Sequence, residues 1–255
     1  MKFRNILGID FGGSGIKGTP VDAKLGILLD KRYRVPTPVP ATPSHIAEII
    51  KTISDHFKWK SPIGLAFPAV VQNGIVKTAA NIDKKWIGID ASDLITRITG
   101  LPTYVLNDAD AAGMTEMKFG VGNGKKGTVL LVTVGTGIGS VLFSKGKLVP
   151  NTELGHITLK SGIEAEEFTS DAARKRDQLS WDIWAQRFNT YLQEMEQLFW
   201  PELIIIGGGV SKKKELFIDH LQLNSKVVMA KTQNEAGIIG AAIACRANRN
   251  VFKRN

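Results

Sequence analysis

A single cysteine, Cys245, is all that the 255-residue chain contains. No intramolecular disulfide can form and no thiolate cluster can hold zinc. This usage fits a reducing compartment, and the cytoplasm is the expected location. Long apolar runs are missing too. The segment "MKFRNILGIDFGG" starts basic, but its apolar stretch is short and Asp10 interrupts it. Neither a signal peptide nor a membrane span of ~20 apolar residues is read from it. Negative charge is in the minority, with 24 acidic against 33 basic residues and a net charge of +9. That balance favours polyanionic partners, although the same lysines read equally well as a solvated surface. There is no G-x-x-x-x-G-K-[ST] loop, RNP segment or zinc finger, so a P-loop enzyme is excluded and a nucleic-acid binder ranks last.

What is present is enough apolar residue, 43%, to bury one large core or two packed lobes. Residues 4–10, 15–21 and 26–35 read as three strands joined by glycine turns, a β-meander. "VPTPVPATPSH" carries four prolines in eleven residues and reads as extended. Thr42-Pro43-Ser44 then opens a helix with Ile46, Ile49, Ile50, Ile53 and Phe57 at helical spacing. "PIGLAF" is a buried strand, Asn73-Gly74 a hairpin turn, "ASDLITRITG" a short helix and "PTYVLND" another strand. The order then restarts: "GTVLLVTVGTGIGSVLFSKGKLV" is again strand, turn, strand, turn, strand. A long amphipathic helix follows over Trp181–Phe199, then the buried strand "PELIIIGGGVS" and the small-residue helix "NEAGIIGAAIACRAN". Two β-β-β-α-β halves result, an α/β duplication of architecture. The expected organisation is a small lobe over residues 1–106, completed by a C-terminal helix over 235–250, and a large lobe over 107–234, meeting at a cleft.

Two glycine turns follow buried strands, "DFGGSG" and "VGTGIG". Glycine lets backbone N–H groups approach phosphate oxygens closely, and Thr136 adds a hydroxyl. Either turn alone reads first as a plain hairpin, but their matching places in two halves argue for a shared task. In "YVLNDADAAG", Asn107 and Asp108 sit where a strand gives way to a helix. Asp108 is placed to take a proton from a hydroxyl, while the simpler alternative is that Asp108 or Asp110 caps the helix. In "ELGH", Glu153 and His156 are spaced to converge on neighbouring hydroxyls of a small polar ligand. Three basic clusters, Lys125-Lys126, Arg174-Lys175-Arg176 and Lys212–Lys214, read either as a track for a long anion or as solvated faces.

Taken in order, "GIDFGGSGIK", "LNDADAAG", "VGTGIGS", "ELGH" and "IIIGGGVS" resemble the ROK family of sugar kinases over about Ile6 to Ala247. The resemblance implies the two-lobed hexokinase/actin-like, ribonuclease H-like fold. It implies that Asp10 lies near a magnesium ion, bound through water. Gly12, Gly13 and Lys17 belong to a first phosphate hairpin and Gly135, Thr136 and Gly137 to a second. Gly208 and Gly209, within a turn facing an adenosine, join Lys212 and Lys213 on the donor side. Asp108 resembles the catalytic base for a sugar 6-hydroxyl. Asn81, Asn107, Asp108, Glu153, His156 and, more weakly matched, Glu166 resemble the sugar ligands. Many members carry a cysteine-rich zinc motif after the E-x-G-H segment. Here that region has no cysteine, and no zinc is expected. Together with "LSW", "FWPELIIIGGGVSKK" and "QNEAGIIGAA", the replacement resembles the branch that phosphorylates glucose from inorganic polyphosphate, in some members also from ATP. The implied cofactor is Mg2+ and the implied assembly a homodimer, without nucleic acid or membrane as partner. The alternatives are an ATP-only kinase of glucose, mannose or an N-acetylhexosamine, and a sugar-sensing regulator. The regulator reading expects an N-terminal DNA-binding segment for which a first strand at Ile6 leaves no room.

Overall fold

The computed structural model describes residues 3–80, 82–232 and 235–248. The chain forms two compact units, Met1–Thr115 with Asn234–Asn255, and Glu116–Gln233. The division falls inside the helix that follows "YVLN".

The first unit is built on β1 (Asn5–Gly12), β2 (Gly15–Asp22), β3 (Ile27–Leu28), β4 (Tyr33–Val35), α1 (Pro43–His56), β5 (Ile63–Phe67), β6 (Val71–Gln72), β7 (Ile75–Val76), α2 (Ala91–Thr99), β8 (Thr103–Asn107) and α3 (Asp108–Phe119). Its sheet runs β3-β2-β1-β5-β8, with β4 also pairing β2. β1 and β2 are antiparallel, while β1, β5 and β8 are parallel. Fully buried β5 explains its unbroken apolar run, because helices cover both faces. The segment expected as one strand over 26–35 is two short ones: the chain leaves the sheet at Asp30–Arg32, where the Thr19 hydroxyl donates to the Asp30 carbonyl at 3.0 Å. α1 starts as its sequence says, with Thr42 as cap and Pro43 at the first position. Asn73 and Gly74, both at positive φ, make the β6–β7 hairpin.

The last helix, α7 (Ala236–Ala247), returns to this unit, and glycines decide how closely. A Cβ on Gly8 would lie 2.3 Å from the Ile238 carbonyl oxygen, and one on Gly64 2.1 Å from that of Ala241. The helix packs on the sheet backbone itself, which its run of small residues permits.

The second unit holds β9 (Thr128–Val134), β10 (Ile138–Ser144), β11 (Lys147–Val149), α4 (Ala165–Thr169), α5 (Asp171–Arg176), α6 (Trp181–Phe199), β12 (Leu203–Gly207) and β13 (Lys226–Met229). Its sheet runs β11-β10-β9-β12-β13, three antiparallel strands and then parallel additions. Strand for strand this is the order of the first unit, so the duplication read from the turns extends to topology. α6 buries Trp184, Phe188, Tyr191, Leu192 and Met195, one face of a 3.6-residue period. Among the described residues no helix is long and apolar enough to cross a membrane.

Candidate functional site

In the first unit, the polar residues gather at the C-terminal ends of the parallel strands, where α/β sheets place ligands. Asp10 lies near the C-terminal end of β1, just before the buried Phe11, in register with Lys17 across the hairpin and with Ala66 on β5. No donor of the described residues bonds its carboxylate. Burial pushes its carboxyl above the usual carboxylate range, and the Lys17 ammonium opposes that shift. Gly237 is what lets α7 pass here, since a Cβ on it would lie 2.9 Å from Asp10 Oδ1. The tip of the hairpin, Gly13-Ser14, is exposed. Thr37 Oγ1 donates to the Gly12 carbonyl at 2.6 Å, and Arg34 Nη2 donates to that of Ser14 at 2.6 Å. Those braces were not read from the sequence.

β8 passes straight into α3 at Asn107-Asp108. The cap is Asn107: its Oδ1 accepts the Asp110 N–H at 3.1 Å and its Nδ2 donates to the Ala69 carbonyl at 3.2 Å. The simpler alternative, that Asp108 or Asp110 caps the helix, gives way to Asn107 in that role. Asp108 accepts its neighbour Ala109 N–H through Oδ1 at 2.8 Å and stays partly exposed. Asn81 lies outside the described residues.

In the second unit, Gly135-Thr136-Gly137 joins β9 to β10, with Thr136 exposed. The Gly135 N–H is spent on the Gly137 carbonyl at 3.0 Å, and the Gly135 carbonyl accepts the Asp171 N–H at 3.0 Å. Beside it runs the turn after β12. Gly207 pairs with Thr133, and Gly208, at φ +77°, would carry a Cβ only 2.3 Å from the Val134 carbonyl oxygen. Gly208 is thus explained by the fold.

"ELGH" is a short 3₁₀ turn held against β10: Ser140 Oγ accepts the Leu154 N–H at 2.8 Å, and a Cβ on Gly155 would strike the Ile138 carbonyl. His156 Nδ1 bonds Glu164 Oε1 at 2.5 Å, and its Nε2 is 3.7 Å from Glu153 Oε2. The carboxylate beside the imidazole is thus Glu164, which sequence reasoning missed, and Glu166 points elsewhere, to the Ile138 N–H. The missed signal is positional: Glu164 is the residue before α4 and is bridged to Thr158, two beyond His156. The bond from Glu164 holds the His156 imidazole above its usual pKa, aided by the charges of Glu166 and Glu153 against the opposing effect of burial. Burial raises the Glu153 carboxyl as well, with His156 opposing.

The signs give a pH expectation. A raised imidazole contributes stability that is complete below the unfolded value near 6.5 and is lost as pH rises through the folded value. Glu164→Gln should bring the His156 NMR titration back toward about 6.5 and lower the thermal midpoint at acidic pH but not at pH 9. An unshifted titration would remove the pair.

The basic clusters separate. Arg174 and Lys175 pair with Asp171 at 2.9 and 2.7 Å, Arg176 with Asp177 at 2.7 Å, and Lys125 with Glu202 at 3.7 Å. Arg174 also stacks on Trp181 at 4.2 Å. Among the described residues Lys17, Lys212 and Lys213 have no carboxylate within 4.0 Å. Of the two readings of the basic clusters, the local one fits 174–176, whose charges are spent on Asp171 and Asp177.

The ROK family profile matches residues 6–168. The chain belongs to the ROK family. This ROK protein is 44% identical to the polyphosphate glucokinase of Mycobacterium tuberculosis (strain CDC 1551 / Oshkosh) over 246 residues, 96% of this chain and 92% of that protein. Among solved structures it resembles the inorganic polyphosphate/ATP-glucomannokinase of Arthrobacter sp. strain KM, at a TM-score of 0.89 and 45% identity over 99% of this chain and all of that one. A ROK family glucokinase from Streptomyces griseus, solved in complex with glucose and AMPPNP, matches at a TM-score of 0.81 and 25% identity over 96% of this chain and all of that one. The hexokinase/actin-like fold that the family resemblance implied is the fold of this ROK protein.

Proposed function

We propose that the protein is a glucokinase that transfers a phosphoryl group from inorganic polyphosphate, with ATP as a second donor, to the 6-hydroxyl of glucose. One observation of the structure carries the donor half of this reading. Most of its glycines answer to the fold, through positive φ or a backbone that a Cβ would strike. Gly13, Gly135 and Gly209 answer to neither: their φ is ordinary and a Cβ on each would meet nothing within 4 Å. They are one each from the three turns singled out by sequence. Open space along the turn is what close approach of phosphate oxygens to the turn's backbone requires. Lys17, Lys212 and Lys213, with no carboxylate within 4.0 Å among the described residues, add cations. The names of the mycobacterial and Arthrobacter relatives support polyphosphate as the donor.

In this reading Glu153 and His156, with Glu164 behind the imidazole, bind ring hydroxyls, and Asn107 contributes what remains of its amide. Asp108 takes the 6-hydroxyl proton as O6 bonds to the terminal phosphorus. The bond from that phosphorus to its bridging oxygen breaks, and the shortened polyphosphate leaves with the electron pair. The turn amides and lysines balance the charge on the transferring group. The residues also suit magnesium. That ion keeps several waters and takes one or two carboxylates plus donor phosphates. Asp10 supplies one carboxylate with no competing donor, and no cluster of three or more ligating side chains occurs among the described residues. Magnesium, when bound, supplies charge neutralisation on the donor. The proposed assembly, a homodimer, and the proposed cytoplasmic location rest on the family resemblance and cysteine usage alone.

The test is glucose 6-phosphate formation with magnesium and either polyphosphate or ATP as sole donor. Product from polyphosphate is expected at least as readily as from ATP. Product from ATP alone makes the protein an ATP-only kinase, and none from either donor with any hexose overturns the kinase reading.

A further inference from the structure

Glu166 lies in the first turn of α4, and its carboxylate reaches back to the second glycine turn. Oε2 accepts the Ile138 N–H at 2.7 Å. The carboxylate also fills the space beside Gly137, where a Cβ would lie 2.4 Å from Oε2. The opposite end of the turn is held by the Asp171 N–H on the Gly135 carbonyl. Both braces come from one corner, since Ser170 ends α4 and caps α5, its Oγ accepting the Ala173 N–H at 3.1 Å. With Gly135 N–H spent inside the turn, the N–H groups of Thr136 and Gly137 have no acceptor among the described residues. A carboxylate so near a phosphate-binding turn is unfavourable by Coulomb's law, so its presence calls for a geometric reason.

We propose that Glu166 is a positioning residue of the donor turn: by holding the Ile138 amide it fixes the Thr136–Gly137 backbone for the donor's phosphates. This rests on the donor-turn reading above and replaces the expectation that Glu166 binds sugar. The residue also acts electrostatically on Glu153 and His156, so its substitution must be read on both substrates.

The experiment compares Glu166→Ala and Glu166→Gln in the full chain. Donor KM is measured at saturating glucose, glucose Kd by calorimetry without donor, and Ile138 amide exchange by NMR. Glu166→Ala should raise the polyphosphate KM about tenfold, as loss of a charged hydrogen-bond acceptor does, while glucose Kd stays within about twofold. Glu166→Gln keeps an oxygen for the Ile138 N–H and should return the donor KM to within about threefold of wild type. Ile138 exchange should be slow in wild type and Gln, and fast in Ala. Gly137→Ala pushes the carboxylate away and should reproduce the donor defect without touching Glu166, so an unfolded Glu166→Ala protein does not stop the test. The double variant should be no worse than the worse single one, as expected of a shared contact. A raised glucose Kd with unchanged donor KM makes Glu166 a sugar ligand and overturns the proposal. Unchanged donor KM in both Glu166→Ala and Gly137→Ala overturns it too, as does unchanged Ile138 exchange. A wild-type protein that transfers from neither donor fails the proposed function instead, and is told apart because the exchange measurement needs no donor.

Discussion

Asp108→Asn should cut turnover with glucose by about 10²–10⁴-fold, the range for loss of a general base, while glucose affinity stays within a few-fold. The substitution is clean because of where the structure puts the structural load. Asn107 caps α3 through the Asp110 N–H, so losing the Asp108 carboxylate does not cost the ~1 kcal/mol of a lost cap. The bond that Asp108 Oδ1 accepts from the Ala109 N–H can be kept by the amide oxygen of asparagine. What asparagine cannot do is accept the proton of an attacking hydroxyl. Steady-state rates with polyphosphate, glucose calorimetry and a thermal midpoint check the three parts separately. A turnover near wild type would remove Asp108 from the base role. A fall in turnover matched by an equal fall in thermal stability would return it to a structural one.

The fold was legible where burial is two-sided. β5 and β12 are buried along their whole length, so their sequences are unbroken apolar runs that read as buried strands. α6 was legible because one face alone is apolar. What escaped is short or half-buried. β13 has four residues and no fully buried one, so no periodicity marks it. α4 and α5 have five and six residues, below the length at which a helical pattern shows itself. The site divides the same way. Turn glycines and the order of motifs singled out Asp10, Asp108, Glu153 and His156 as candidates. The choice between Glu164 and Glu166 depends on which residue precedes the helix and which lies in its first turn. Two residues on, a helix turns a side chain by more than half a revolution, and the sequence "EAEE" offers carboxylates in both directions. The basic segment 174–176 stayed open between an anion track and a solvated face for a related reason. Its counter-charges, Asp171 at helical spacing before Arg174 and Lys175 and Asp177 directly after Arg176, are visible in the sequence once α5 is known.

Alanine at Gly13, Gly135 or Gly209 should leave stability unchanged or raise it, and still lower kcat/KM for the donor by about ten- to a hundredfold, at 1.4 kcal/mol per factor of ten. Gly64→Ala and Gly240→Ala should do the opposite, destabilising the fold by about 3 kcal/mol or more, at or beyond the top of the usual overpacking cost. The contrast follows from what each new methyl meets. At Gly64 it would lie 2.1 Å from the Ala241 carbonyl oxygen, and at Gly240 1.7 Å from that of Ala111. Both neighbours are helix backbone, of α7 against β5 and of α3 against α7, and neither contact can widen without opening the first unit's packing around α7. At Gly13, Gly135 and Gly209 the methyl meets nothing within 4 Å and the backbone is already in a conformation that alanine adopts. There the unfolded chain loses freedom and the native one loses no contact, which favours folding by about 0.4–1 kcal/mol. The cost then falls wholly on whatever must come close to the turn. Thermal midpoints and donor kinetics on the five single variants separate the two classes. If alanine at all three open positions leaves donor KM unchanged, nothing needs to approach these turns, and the phosphate reading loses the observation that carries it. If the variants fold as well as wild type and fail only with the donor, glycine is kept there for the ligand and not for the protein.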